Sequence, residues 1–339
     1  MASLALLLIV AQSVTVPPES GEVHLRNVRQ LTQGGQNAEA YYSGSGELLI
    51  FQRQGPDEHC DQMYVMNMDG GARHRVSSGR GRTTCGYFYD RDRRIFYSST
   101  EYASAACPPR PDYSRGYVWP LYDYDIYTAL ADGSHRRRLT TNPGYDAEAT
   151  LSPDGRTIVF TSLRHGDLDI YTMDVDGSHV RRLTTTLGYD GGPFFSHDGK
   201  RIVYRADHPS TAADSAEYRA LLAQGVVRPT RMDIWMMNAD GSEQRQVTHL
   251  DGASFAPFFH PDDRRIIFAS NFPNPASRDF DLYLVSLDGS GLERVTTAPG
   301  FDAFPMFSPD GKRLVWASNR HGSVPHETNI FVADWVERP

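Results

Sequence analysis

Three aspartates, Asp146, Asp190 and Asp302, occupy one recurring position, six residues before the start of a turn. In three further copies the same position holds Asn37, Thr83 and Ser254, so all six are polar. Four residues before the turn, the series reads Glu39, Cys85, Glu148, Gly192, Ala256 and Phe304. Carboxylates gathered at one end of a symmetric fold can hold a hard cation, which takes several oxygens at once. They can also seat an organic cation or the amine of a peptide. A local reading competes. In Gly144-Tyr145-Asp146, Gly188-Tyr189-Asp190 and Gly300-Phe301-Asp302, each aspartate can cap its own turn. A turn aspartate keeps a second oxygen, so the two readings are compatible.

Around this series lies a wider candidate ligand-binding set. Tyr145, Asp146, Glu148, Tyr189 and Asp190 lie in or just after two successive turns, and Arg164 and His165 follow the strand between them. Arg205 and His208 open one long insertion, and Tyr117 and Trp119 belong to another. Aromatic faces, carboxylates and guanidinium groups together suit a small polar or peptide ligand. Carboxylates packed this closely repel, so at least one should bind a cation or titrate late. No cofactor is required. A calcium or other divalent ion at the channel mouth, on Asp146, Asp190 and Asp302, is the metal reading. Asp174-Val175-Asp176-Gly177 lacks the earlier acidic position of an EF-hand loop, and no His-x-x-x-His or Gly-x-Ser-x-Gly occurs.

The elements that position these residues form a repeat. Ser152-Pro-Asp-Gly-Arg-Thr-Ile-Val-Phe160 recurs as Ser196-His-Asp-Gly-Lys-Arg-Ile-Val-Tyr204, Ser308-Pro-Asp-Gly-Lys-Arg-Leu-Val-Trp316 and His260-Pro-Asp-Asp-Arg-Arg-Ile-Ile-Phe268. Two worn copies begin at Ser43 and Tyr89. Each unit offers four strands, here called A to D. A ends at the turn. B is a continuous apolar run, which implies burial on both faces. C carries a triplet such as Asp125-Ile-Tyr127, Asp169-Ile-Tyr171 or Asp281-Leu-Tyr283, and an Asp-Gly turn closes the C–D hairpin in five copies. D ends in motifs such as Arg182-Leu-Thr184. The sixth D is missing after Ile330-Phe-Val332, while Val28-Arg-Gln-Leu-Thr32 supplies its pattern at the other end. The expectation is a six-bladed, all-β propeller closed by an N-terminal strand that completes the last blade. The B–C spacing doubles in blades 2 and 4, giving insertions at 100–122 and 207–230 that flank blade 3. The second reads as a short helix with Asp214 near its start and Gly225 as C-cap. A recess is expected above blade 3.

The Ser-Pro-Asp-Gly, Asp-Ile-Tyr and Asp-Gly-Ser…Arg-Leu-Thr series resembles the repeat of TolB-like propellers, over residues 23–339. TolB itself carries an α/β domain before its propeller. The expectation here is the propeller alone, so a role in the Tol envelope system does not transfer with the resemblance. The repeat implies fold far more than function.

Residues 1–13 read as a signal peptide, with Leu4–Val10 as an apolar stretch too short to span a bilayer. A net charge of −8 argues against a nucleic-acid partner. Cys60, Cys85 and Cys107 map to neighbouring blades on one face, so one disulfide and one thiol are expected after export, with the pair left open. The leading reading is an exported, periplasmic or secreted, monomeric and non-enzymatic binding propeller. Its ligand would be a peptide, protein or glycan on the insertion-bearing face. The rival is a metal-dependent lyase or hydrolase using channel-mouth carboxylates.

Overall fold

A computed structural model describes residues 13–114 and 116–338. The expected signal peptide lies outside the described residues, Ser13 apart. The strands form six antiparallel blades in the order that the repeats predict. The A strands are Gln36–Tyr42, Thr83–Tyr89, Asp146–Leu151, Tyr189–Phe195, Ser254–Phe259 and Asp302–Phe307, for blades 1 to 6. Each pairs with its B strand, B with C, and C with a short D.

The apolar B runs form the layer between blades. Ile158, Val159 and Phe160 are at most 1% exposed, and Ile266, Ile267 and Phe268 are fully buried. Each such side chain contributes roughly 1.5–3 kcal/mol by leaving water. The turn before B is held locally. Ser152 Oγ lies 2.6 Å from Asp154 Oδ1, and Gly155 closes the turn at φ 73°.

One hydrogen bond recurs in every blade and fixes the register of strand D. The amides of Ile126, Ile170, Ile234 and Leu282 donate to the hydroxyls of Thr140, Thr184, Thr248 and Thr296 at 2.8–2.9 Å. In blade 1, Ser77 takes the place of the threonine and accepts from the Met63 amide. In blade 6 the hydroxyl is that of Thr32, which accepts from Ile330 N at 2.9 Å. The N-terminal strand Leu25–Gln30 therefore completes the last blade, pairing Arg29 with Val332 and Gln30 with Phe331. Val14–Thr15 adds a fifth strand outside it. The segment before the closing strand is also anchored. Glu22, 2% exposed, makes a two-point ion pair with Arg320 at 2.8 and 3.1 Å.

The two insertions meet each other. Trp119–Pro120 of the first pairs with Val226–Val227 of the second, and Leu121 N donates to Gly225 O at 2.7 Å. The helix is Ala212–Leu222, with Thr211 as N-cap bonded to Asp214 N. Its C-cap is Ala223 rather than Gly225, which follows at φ 70°. Tyr218 anchors the helix, donating to Asp167 at 2.6 Å. A disulfide, Cys60–Cys107 with Cα atoms 5.7 Å apart, ties the first insertion to blade 1, and Cys85 remains a buried thiol. No helix among the described residues is long and apolar enough to cross a membrane.

Candidate functional site

Strand A lies innermost in each blade, so its two faces meet the neighbouring blades and only its edge meets the channel. A regular strand therefore sends no side chain straight into the channel. A bulge changes that by turning one residue out of the alternation. All six A strands carry such a register shift, between Ala38/Tyr41, Thr84/Tyr87, Ala147/Thr150, Gly191/Phe194, Phe255/Phe258 and Ala303/Met306. Within each shift one residue adopts positive φ: Glu39, Cys85, Glu148, Gly192, Ala256 and Phe304, at 50–60°. Five of these are not glycine, and each pays about 1–2 kcal/mol for a left-handed backbone. Strain repeated at one level of the ring marks a place where side-chain direction matters more than backbone comfort.

These six residues line a cavity of about 770 Å³ at the channel mouth, on the face that bears the insertions. Its floor is polar on the side of blades 1 to 4. Arg205 pairs with Glu148 and takes up the Tyr189 hydroxyl at 2.6 Å. Its guanidinium lies over the Trp119 ring, 5.0 Å from the centroid. Blade 4 admits this arginine because Gly192 has no side chain. A Cβ there would collide with Arg205 Nη1. Next to the pair, Glu39 Oε2 accepts from Cys85 Sγ at 3.0 Å, Cys85 N at 3.2 Å and Thr84 Oγ1 at 3.3 Å. Burial pushes the Glu39 carboxyl up, and the negative field of Glu148 adds to it. Burial and the two glutamates push the Cys85 thiol well up. The opposite wall is apolar. Phe255 packs edge-on to Phe280, Phe304 and Trp119 at centroid distances of 5.3–6.1 Å.

Six of the eleven residues expected at the site line this cavity: Tyr117, Trp119, Tyr145, Glu148, Tyr189 and Arg205. The other five do not, and their partners show why. Asp146 accepts from Arg164 at 3.1 Å. His165 stacks on Tyr171 and bonds its hydroxyl at 2.7 Å. Asp190 is bonded to His208 at 2.9 Å. Asp302, the third aspartate of the metal reading, meets Arg320 at 2.9 Å and Trp316 Nε1 at 3.2 Å. The three aspartates are 0–1% exposed, each held inside its own blade, and they do not converge. Among the described residues no group of three or more His, Cys, Asp or Glu is placed to hold a metal ion. The expected recess above blade 3 is filled. Tyr124, Tyr145, Leu168, Tyr189, Val227 and Met232 pack there beneath Leu121, Tyr122 and Tyr218. The open space lies on the channel side of that cluster and reaches blades 1, 5 and 6. Sequence reasoning passed over Glu39, Cys85 and the Phe255 wall as ligand residues. The signal was the bulge-position series itself, in which a carboxylate, a thiol and a bulky ring follow no core pattern.

A profile described as TolB beta propeller domain matches residues 121–224 and 222–333. The chain belongs to this family. Over 42 residues it is 52% identical to the Tol-Pal system protein TolB of Bordetella pertussis, a stretch that covers 12% of this chain and 10% of that protein. This propeller also resembles the structure of a putative TolB from Agrobacterium tumefaciens, with TM-score 0.58 and 21% identity over 90% of this chain and 91% of that one. An oligogalacturonate lyase in complex with manganese gives TM-score 0.54 and 13% identity, covering 96% and 97%. Identities this low carry the fold and not the chemistry. TolB-type and lyase propellers share this architecture, so the floor and walls of the cavity must decide what this TolB-family member does.

Proposed function

We propose that this chain is an exported binding propeller that receives a peptide, or an extended segment of a protein, in the cavity at its channel mouth. The observation that carries the reading is the pairing of a polar floor with an aromatic wall in one cavity. A volume near 770 Å³ suits a few side chains of a ligand. The Arg205–Glu148 pair offers hydrogen bonds to main-chain groups, and Trp119 and Phe255 offer ring faces. Thiol catalysis is disfavoured by the state of Cys85. The Cys85 thiol is buried, donates to Glu39 and is pushed up, so it stays protonated, whereas an attacking thiol needs to be a thiolate. The Cys60–Cys107 disulfide supports a working place in an oxidising compartment.

The test uses the full chain and a displayed library of random peptides. Enriched peptides should compete with one another for the protein. They should lose binding to Ala256→Trp, which fills the cavity from its apolar side. Peptides that bind this variant as well as the parent would place recognition elsewhere on the surface. Enrichment of sugars on a glycan array, with no peptide recovered, would replace the peptide by a glycan and keep the cavity.

A further inference from the structure

The carboxylates near the channel differ in one respect. Asp61, Glu148 and Asp302 each have an arginine within ion-pair distance, and Asp190 has His208. Glu327, which also lines the cavity, has no cation but is saturated by neutral donors. It accepts from Gly34 N, Asn329 Nδ2, Ser323 N and Ser323 Oγ at 2.7–2.9 Å, and its carboxyl is drawn down to about 2. Glu39 has neither kind of support. Among the described residues it forms no ion pair, its three contacts are 3.0–3.3 Å long, and all of them fall on Oε2. Oε1 accepts nothing from the described residues. One of the three donors is a thiol, a weak one. The Thr84 hydroxyl is closer to Gln52 Oε1, at 2.8 Å, than to Glu39.

Glu39 is half-buried at the cavity wall, and a carboxylate held there without a cation or a full set of donors has a built-in preference for a positive group. Arg205 does not meet that need, because Glu148 and Tyr189 occupy it. Resting on the reading that this cavity binds a ligand, we propose that its floor is a subsite for an organic cation, in which Glu39 Oε1 receives the protonated amine or guanidinium of an incoming side chain. The aromatic residues around the cavity, Tyr41, Tyr145, Phe255 and Phe304 among them, suit such a group, since ring faces attract cations and pack against their apolar stems. A metal ion fits less well. Hard cations take six to eight oxygens, and the described residues bring no third acidic or imidazole ligand to Glu39 and Glu148.

Three matched probes separate these possibilities: phenethylamine, 2-phenylethanol and phenylacetate, each titrated calorimetrically into the full chain. The amine should bind at least tenfold more tightly than the alcohol, and phenylacetate more weakly than either. Glu39→Gln should abolish the advantage of the amine and leave the alcohol unchanged. A second readout needs no variant. The groups facing Glu39 are Tyr41 on its own strand, Cys85 and Thr84 of blade 2, Glu148 of blade 3 and Arg205 of blade 4. Burial raises the Glu39 carboxyl above its ordinary value, so amine affinity should fall as pH drops through that raised pKa while alcohol affinity stays level. Calcium chloride should not displace the amine. Equal binding of amine and alcohol, an unchanged amine affinity in Glu39→Gln, or displacement by calcium overturns the cation subsite but leaves a ligand cavity standing. Failure of all three probes to bind saturably overturns both.

Discussion

Two rings of six residues lie two positions apart on the same strands, and they do opposite things. The first, Asn37, Thr83, Asp146, Asp190, Ser254 and Asp302, is at most 1% exposed and spends its polarity inside the blades. The second, Glu39, Cys85, Glu148, Gly192, Ala256 and Phe304, is turned into the cavity by a bulge. The first ring repeats because every blade needs the same seal. In blades 3 and 6 even its partners repeat. Ser162-Leu-Arg164 and Ser318-Asn-Arg320 each fold an arginine back onto their own serine and onto the aspartate of that blade. The second ring does not repeat, and its variety is what a site for an asymmetric ligand requires. In a propeller, therefore, regularity of a polar residue points to structure, and irregularity at a strained position points to recognition.

The comparison breaks most sharply at Arg320. Replacing it by alanine leaves Glu22 and Asp302 buried without a cation, and should cost about 3–5 kcal/mol in urea unfolding. A loss below about 1 kcal/mol would show that the first ring is not the seal described here. Asp146→Asn keeps the shape but removes the charge opposite Arg164. It should cost about 2 kcal/mol, with binding of any cavity ligand unchanged. A change in affinity at constant stability would move Asp146 into the second ring.

Gly192→Ala tests the second ring from the backbone. The new methyl group meets Arg205 at a left-handed position, so the arginine must leave Glu148. About 1–3 kcal/mol of stability should be lost, together with ligand binding. The smallest effect belongs to Glu39→Gln, within about 1 kcal/mol of the parent at pH 5. Its sign depends on pH. The folded carboxyl titrates above its unfolded value, so the proton bound by the native state stabilises it fully below the unfolded pKa. That contribution is lost as pH rises through the folded pKa. Urea titrations from pH 4 to pH 8 should show the parent declining relative to Glu39→Gln, and parallel curves would contradict the burial of an uncompensated charge.

The six blades, their strand order and the closing strand were legible in the sequence because each rests on local grammar repeated many times. Asp-Gly at a hairpin, an apolar triplet for strand B, and a threonine ending strand D carry the same meaning in each copy. Thr32 gives the closure away, since it takes the place of Thr184 in a blade built from both ends of the propeller. The pairing of Cys60 with Cys107 was not legible, because loop paths fix which sulfurs meet. The site was half legible. Tyr189, Glu148 and Arg205 stood out by type, but strict alternation along strand A gives Asp146 and Glu148 the same facing. Only the bulge separates them, and in the sequence a register shift shows only through the mixed residue types at its own position. Likewise, the space above blade 3 looked open because the length of an insertion does not reveal that it folds over the neighbouring blade.

The closing strand has a consequence for the order of events in the life of the chain. Glu22 and Arg320 are 298 residues apart, and the ladder between the closing strand Leu25–Gln30 and the last strand spans nearly the whole propeller. Blades 1 to 5 can each form as soon as their own hairpins are complete. Blade 6 cannot form until the last strand has been synthesised, and until then both the opening strand and the flank of blade 5 lack a partner. An open ring of this kind is the form most exposed to wrong pairing between neighbouring chains. The latch at Glu22 and Arg320 thus separates two stages, an open row of blades and a closed ring.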